Sequence, residues 1–199
     1  MTSSNDVGLR VLHAVRMLGY AGTAPVSERA GLPVAQVDEA LLDAQAAGQV
    51  TWTGFEDDGG WSLTEAGKAA GEKLLAEEMV RAGARVAVES VMDEFESLNH
   101  QVTAACTRWQ LAELGIADAG VGLAATIEEL ARAGEAWAVL EEQLVRRLPR
   151  FRGYHERFSV ALDRASIDPA WVTGTDRESA HRVWFELHED LLATLGRSR

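Results

Sequence analysis

Apolar positions recur at helical spacing through most of this chain, and the interruptions fall at glycine and proline. In "DVGLRVLHAVRMLGY", Val7, Val11, Val15 and Leu18 form one stripe, with Arg10 and Arg16 off it. Gly19 and Gly22 end this first helix. "PVSERAGL" predicts a second, with Pro25 in its first turn and Gly31 as its C-terminal cap. A third starts at Pro33 and buries Val34, Val37, Leu41 and Ala44 before Gly48 stops it. The period then changes to two. "QVTWTG" alternates Val50, Trp52 and Gly54 against Gln49, Thr51 and Thr53, which predicts a short strand. "FEDDGG" is a turn, "WSL" a return strand, and Ser62-Leu63-Thr64-Glu65 fits a capping box at the start of the next helix.

From Thr64 the helical pattern runs on through Gly67, Gly71 and Gly83. Val88, Val91, Phe95, Leu98, Val102, Ala105 and Trp109 recur at alternating three and four spacing, the seam of a coiled-coil-like contact and a candidate dimer arm. "GIADAGVG" breaks it. A second helix aligns Leu123, Ile127, Leu130, Trp137, Leu140, Leu144 and Leu148 and ends at Pro149; a third aligns Phe151, Tyr154, Phe158 and Leu162. A last helix, with Asp176 as its cap, carries Ala180, Val183, Trp184, Leu187, Leu191 and Leu195. The expected fold is mainly α: an N-terminal winged helix-turn-helix over 1–75, then a bundle of about four helices over 76–199.

A chain of 199 residues with 47% hydrophobic content can build one large domain or two small ones. No apolar run approaches the ~20 residues that span a bilayer. The opening "MTSSNDVGLR" lacks the basic-then-apolar layout of a signal peptide, so a cytoplasmic location without membrane contact is expected. Cys106 is the single cysteine, which excludes an intrachain disulfide and a cysteine-cluster metal site. The net charge of −12 opposes passive attraction to nucleic acid. It is unevenly spread: −5 over 1–75, −9 over 76–145 and +2 over 146–199. The basic cluster is "RRLPRFRGYHER", with Arg146, Arg147, Arg150, Arg152 and Arg157.

"VSERAGLPVAQVDEALLDAQAAGQV...WSLTEAGKAAGEKLL" resembles the DNA-binding domain of MarR-like and PadR-like winged-helix regulators. "LTEAG" after the wing, with Gly67 early in the next helix, is the most recognisable part, and the likeness covers roughly the first 40% of the chain. In those families the helix matching 33–47 enters the major groove and the wing matching 54–60 touches flanking phosphates. This chain departs from them there. Between Gly31 and Gly67 it has no Lys or Arg. The groove-facing side would present Ala35, Gln36, Glu39 and Asp43, of which only Gln36 is a comfortable base reader, and the wing tip is Glu56-Asp57-Asp58. Phosphate neutralisation supplies most non-specific affinity for DNA, and this surface opposes it. One reading is an atypical regulator whose phosphate contacts come from Arg10, Arg16, Arg29 or helix N-termini. The other is a winged helix used to bind protein.

Three strings in the bundle, "LNHQVTAACTRWQ", "YHERF" and "DRESAHRVWFELHEDLL", resemble a helical segment of actinobacterial proteins. There it follows a winged helix, sometimes free-standing as a "regulator", sometimes fused to pyruvate-phosphate-dikinase-like enzymes. The matching residues are Asn99, Thr107, Trp109 and Gln110, then Tyr154 and Arg157, then Trp171, Ser179, His181, Trp184, Phe185, His188 and Glu189. The resemblance implies an effector or partner site in the bundle, or a module serving a phosphoenolpyruvate-utilising enzyme.

Direct signs of catalysis are weak. Glu178-Ser-Ala-His181 has the Glu-x-x-His spacing of di-iron bundles but lacks the second pair such sites need. His181 and His188 share a helix face two turns apart, too far for one ion without distortion. Cys106 reads as a small core residue. No phosphate-cradling glycine loop or nucleophile elbow is present. Trp109, Trp137, Trp171 and Trp184 all fall in the bundle, lining a pocket or filling core.

The expectation is therefore a non-enzymatic, dimeric, winged-helix protein of the transcriptional-regulator type, with no cofactor and no metal. Its DNA contacts would come from Arg10, Arg16, Arg29 and Gln36. An organic effector would sit among Asn99, Trp109, His181, Trp184 and His188. The alternative is an accessory module that does not bind DNA and partners a dikinase-like enzyme.

Overall fold

The computed structural model describes residues 4–55, 58–116 and 122–197. The protein is mainly helical, with one small two-stranded antiparallel sheet among the described residues. It divides into two compact units, Met1–Glu78 and Met79–Arg199, where the sequence pattern placed the join at 75/76. Among the described residues no helix is long and apolar enough to cross a membrane.

In the first unit, helices α1 (Ser4–Leu18), α2 (Thr23–Ala30) and α3 (Val34–Ala46) precede a hairpin of β1 (Val50–Phe55) and β2 (Asp58–Leu63). The apolar stripe of α1 packs on Val26, Val37 and Leu41, all fully buried. Gly31 ends α2 at φ +60, and its N–H and that of Leu32 donate to the Glu28 and Ser27 carbonyls. The hairpin pairs Val50 with Leu63 and Trp52 with Trp61. Ala21 and Trp61 exchange both backbone hydrogen bonds (3.2 and 2.8 Å), so the link between α1 and α2 adds a one-residue third rung to the sheet. Of the Glu56-Asp57-Asp58 turn expected as a wing tip, Glu56 and Asp57 lie outside the described residues.

Helix α4 (Glu65–Ala82) follows β2 directly. Its cap is Thr64 and not Ser62, which lies within β2 opposite Thr51. The Thr64 hydroxyl accepts from the Gly67 N–H at 3.0 Å and donates to the Gly48 carbonyl at 2.6 Å. Gly67 is there for closeness: a Cβ would lie 1.8 Å from the Gln49 carbonyl oxygen. The "LTEAG" string thus clamps the start of α4 onto the end of α3 and the start of β1.

The helix predicted to run unbroken from Thr64 to Trp109 is two helices. Gly83 takes φ +56, its N–H donates to the Val80 carbonyl and that of Ala84 to Met79, and α5 (Arg85–Glu113) begins afresh. Nor is the three-and-four seam a dimer surface. Val88, Val91 and Phe95 are 0% exposed within a single chain, buried against α6 (Leu123–Val145) and α9 (Ala180–Leu195). The spacing marks a helix–helix contact, and the helices it meets are α6 and α9 of the same chain.

The second unit is completed by α7 (Tyr154–Ala165), which packs on α6 and α9, and the short α8 (Ala170–Thr173). Helix α6 stops at Val145, and Pro149–Phe151 form a separate 3-10 turn that seats Phe151 in the core. Gly153, at φ +100, then redirects the chain into α7. Asp176 does not cap α9. Its carboxylate is held by the Arg177 guanidinium at 2.8 and 2.9 Å, and Ser179 is the cap, accepting from the Arg182 N–H. Of the "GIADAGVG" break, residues 117–121 lie outside the described residues.

Candidate functional site

In the first unit the exposed side of α3 carries Val34, Ala35, Asp38, Glu39, Leu42 and Asp43, all solvent-facing, and no basic residue. Val34 is 53% and Leu42 56% exposed, a surface both apolar and acidic. Toward α1 the helix borders a groove of about 440 Å³. Val11, Leu12, Ala40 and Ala44 form its floor, and Gln36, Glu39 and Asp43 succeed one another at three-and-four spacing along its α3 rim. Gln36 is half-buried in this groove.

Two of the three arginines expected to reach phosphates are engaged inside their own unit. Arg16, with 18% of its side chain exposed, pairs with Glu72 of α4 at 3.0 Å. Arg10 donates from Nη2 to the Gly31 carbonyl at 2.9 Å, holding the end of α2 against α1. Arg29 is half-buried in the last turn of α2. None of the three lies on α3 or the hairpin.

In the second unit the residues expected to form an effector site are partly brought together. Trp184 is buried, stacked 5.1 Å from Phe95, and its indole N–H donates to the Asn99 side-chain carbonyl at 3.1 Å. The His188 ring lies 5.4 Å from Phe95. These side chains fill the space between α5 and α9, so Trp184 and Trp137 are core residues. Trp109 and Trp171 pack against the same core while staying partly exposed. His181 begins the face that Trp184 and His188 continue, and burial lowers its pKa. Glu178 precedes α9 and binds Arg157, so it does not share a helix face with His181. The described residues contain no group of three or more His, Cys, Asp or Glu arranged to hold a metal. Burial, with Glu129 adding, pushes the Cys106 thiol up to about 12.

A polar cluster that the sequence pattern did not single out lies between α7 and α9. Glu186 and Asp190, 6% and 1% exposed, sit one turn apart on α9 within its buried face. Arg157 donates to both oxygens of Glu186, at 3.2 and 2.8 Å, and reaches Glu178. Arg150 donates to Asp190 and to the Thr194 hydroxyl. The Tyr154 hydroxyl donates to Asp190 at 3.0 Å and lies 3.5 Å from Glu186. Each carboxylate thus meets a guanidinium and the hydroxyl between them, the pairing buried charges require. The basic cluster therefore splits: Arg150 and Arg157 turn inward, while Arg146 and Arg152 border an α6–α7 cleft with His155. Glu141 closes that cleft's inner end by accepting from the Gly153 and His155 N–H groups. The detectable sign was two acids at four-residue spacing inside an apolar helical stripe.

Comparison of this chain with known protein families, with curated proteins and with solved structures finds no match.

Proposed function

We propose that the first unit is a winged-helix module that docks a protein partner through the α3 face and does not read DNA. The three-helix and hairpin order, with the Ala21–Trp61 rung, supports the winged-helix reading. The observation that carries the docking reading is the composition of the exposed α3 face: Asp38, Glu39 and Asp43 beside the solvent-facing Val34 and Leu42, with no cation. Such a face repels a phosphate backbone and offers apolar contact. The engagement of Arg16 with Glu72 and of Arg10 with Gly31 supports the same reading, because moving either to a phosphate would break a bond within the unit.

The test is fluorescence anisotropy of the full chain on labelled DNA from upstream of its own gene and on scrambled DNA, across a salt series. The expected result is no sequence preference and no binding at physiological salt. Tight, salt-dependent binding that prefers its own upstream sequence would overturn the reading in favour of a regulator, and Arg10, Arg16 and Arg29 would then be tested for phosphate contact by substitution with Ala.

A further inference from the structure

We infer that the groove between α1 and α3 is the seat for a basic amphipathic helix of the partner; this rests on the protein-docking reading above. Two independent features of the groove point to an incoming helix.

The first is the division of its chemistry. Its aliphatic lining comes from Val11 and Leu12 of α1 and Ala40 and Ala44 of α3, of which Val11, Leu12 and Ala44 are 8% exposed or less, with Leu74 and Gln49 beside them. The α3 rim carries Glu39 and Asp43 one turn apart, and no Lys or Arg is among the described residues that line the groove. An apolar stripe at i, i+3/i+4, i+7 fits such a floor, and Lys or Arg beside the stripe faces the two carboxylates. Leu42, 56% exposed, lies outside the groove, beyond its acidic rim on the exposed face of α3.

The second is Gly8. It lies within α1 and lines the groove, yet a Cβ there would meet nothing within 4 Å. This chain's own packing does not require a glycine, and alanine would favour the helix. Gly67 contrasts with it: there the chain's own backbone fills the space. A helical glycine beside an open groove lets a second backbone approach closely, as small residues do where helices cross. The same vacancy makes Gly8→Leu a suitable probe, since its Cβ meets nothing within 4 Å and the side chain adds bulk at the groove.

The experiment is selection from a random sixteen-residue peptide library on the full chain. Affinities of the recovered peptides are then measured by anisotropy on wild type, Gly8→Leu, Glu39→Lys/Asp43→Lys and Leu42→Asp, each checked by circular dichroism. Recovered peptides are expected to carry apolar residues at helical spacing flanked by Lys or Arg. They should lose at least tenfold in affinity on Gly8→Leu and on the charge-reversed variant, and at least tenfold when a proline is placed mid-peptide. Failure to recover such peptides overturns the inference. So do acidic peptides, or peptides whose affinity survives the proline and so bind as extended segments or through a single cationic side chain. Peptides indifferent to both groove variants but lost on Leu42→Asp also overturn it, while leaving protein docking through α3 intact. Sequence-selective DNA binding by the wild type would instead remove the reading beneath it.

Discussion

Replacing Arg157 with methionine should destabilise the helical unit far more than loss of one surface charge would. Arg157 sits between two acids in very different surroundings. Glu178, 47% exposed, is solvated well enough that its pairing contributes about 0–1 kcal/mol. Glu186, with 8% of its side chain exposed, accepts from Arg157 on both carboxylate oxygens, at 3.2 and 2.8 Å. Removing the guanidinium takes two hydrogen bonds from that buried carboxylate, which lies one turn from the Asp190 carboxylate. A buried charge stripped of its partner costs about 3–5 kcal/mol. The neutral alternative separates this from simple loss of packing. In Arg157→Met/Glu186→Gln no uncompensated charge remains, and the deficit should fall to about 1–2 kcal/mol, a coupling of at least about 2 kcal/mol. Urea unfolding by far-UV circular dichroism gives the overall loss. Tryptophan fluorescence is weighted toward the helical unit, which holds Trp109, Trp137, Trp171 and Trp184 against Trp52 and Trp61 in the first, with m unchanged if both ends of the transition are preserved. Additive single and double effects, within about 0.5 kcal/mol, would refute the argument, as would a loss under about 1 kcal/mol for Arg157→Met.

Asn99→Ala should cost about 1–3 kcal/mol by leaving the Trp184 indole N–H buried without its acceptor, measured by the same denaturation. Thr64→Ala removes the cap of α4 and should cost about 1 kcal/mol, whereas Ser62→Ala should cost less, because only Thr64 accepts from the Gly67 N–H. Cys106 should resist iodoacetamide in the folded protein at pH 8 and react once urea unfolds it, since burial disfavours its thiolate; rapid labelling of the native form would contradict its placement. Because burial lowers the folded pKa of His181, the unfolded chain binds the extra proton first. That contribution is fully present above pH 6.5 and is lost as pH falls toward the lower folded value. His181→Gln should flatten this part of the stability–pH curve, and an imidazole resonance that titrates at or above 6.5 would show the sign to be wrong.

The elements that sequence periodicity located are those whose burial follows from their own chain segment. The α1 stripe, the Gly31 and Gly48 stops and the alternation at Val50 and Trp52 are local facts, legible before any partner is known. What eluded the pattern depended on a distant residue. Gly83 could be one more tolerated helical glycine until the chain beyond it turns, and the seam on α5 has the same spacing whether it meets a second copy or α6 and α9. Ser179 replaces Asp176 as the α9 cap because Arg177 takes the Asp176 carboxylate. The polar network was hidden for the same reason. Glu186 and Asp190 look like two solvated acids until Arg157 and Arg150 are folded onto them from 29 and 40 positions away.

The fate of the arginines bears most on function, and it too is non-local. Counting charges shows only that residues 1–75 hold five basic side chains and ten acids, a ratio from which a DNA-binding surface could still be assembled if the five converged. They do not converge on α3. Arg16 serves Glu72 and Arg10 serves the Gly31 carbonyl, so two of the three arginines nearest in sequence to α3 stabilise the scaffold that presents an acidic face. Neutralising that face would therefore not turn it into a phosphate-binding one. Asp38→Asn/Glu39→Gln/Asp43→Asn removes three negative charges and adds amide donors but no cation to neutralise a phosphate, and should leave DNA affinity at physiological salt at the level of the wild type while weakening a basic partner peptide. Gain of DNA binding by this triple variant would mean that Arg10 and Arg16 leave their internal partners readily, and that the acids alone were holding DNA away.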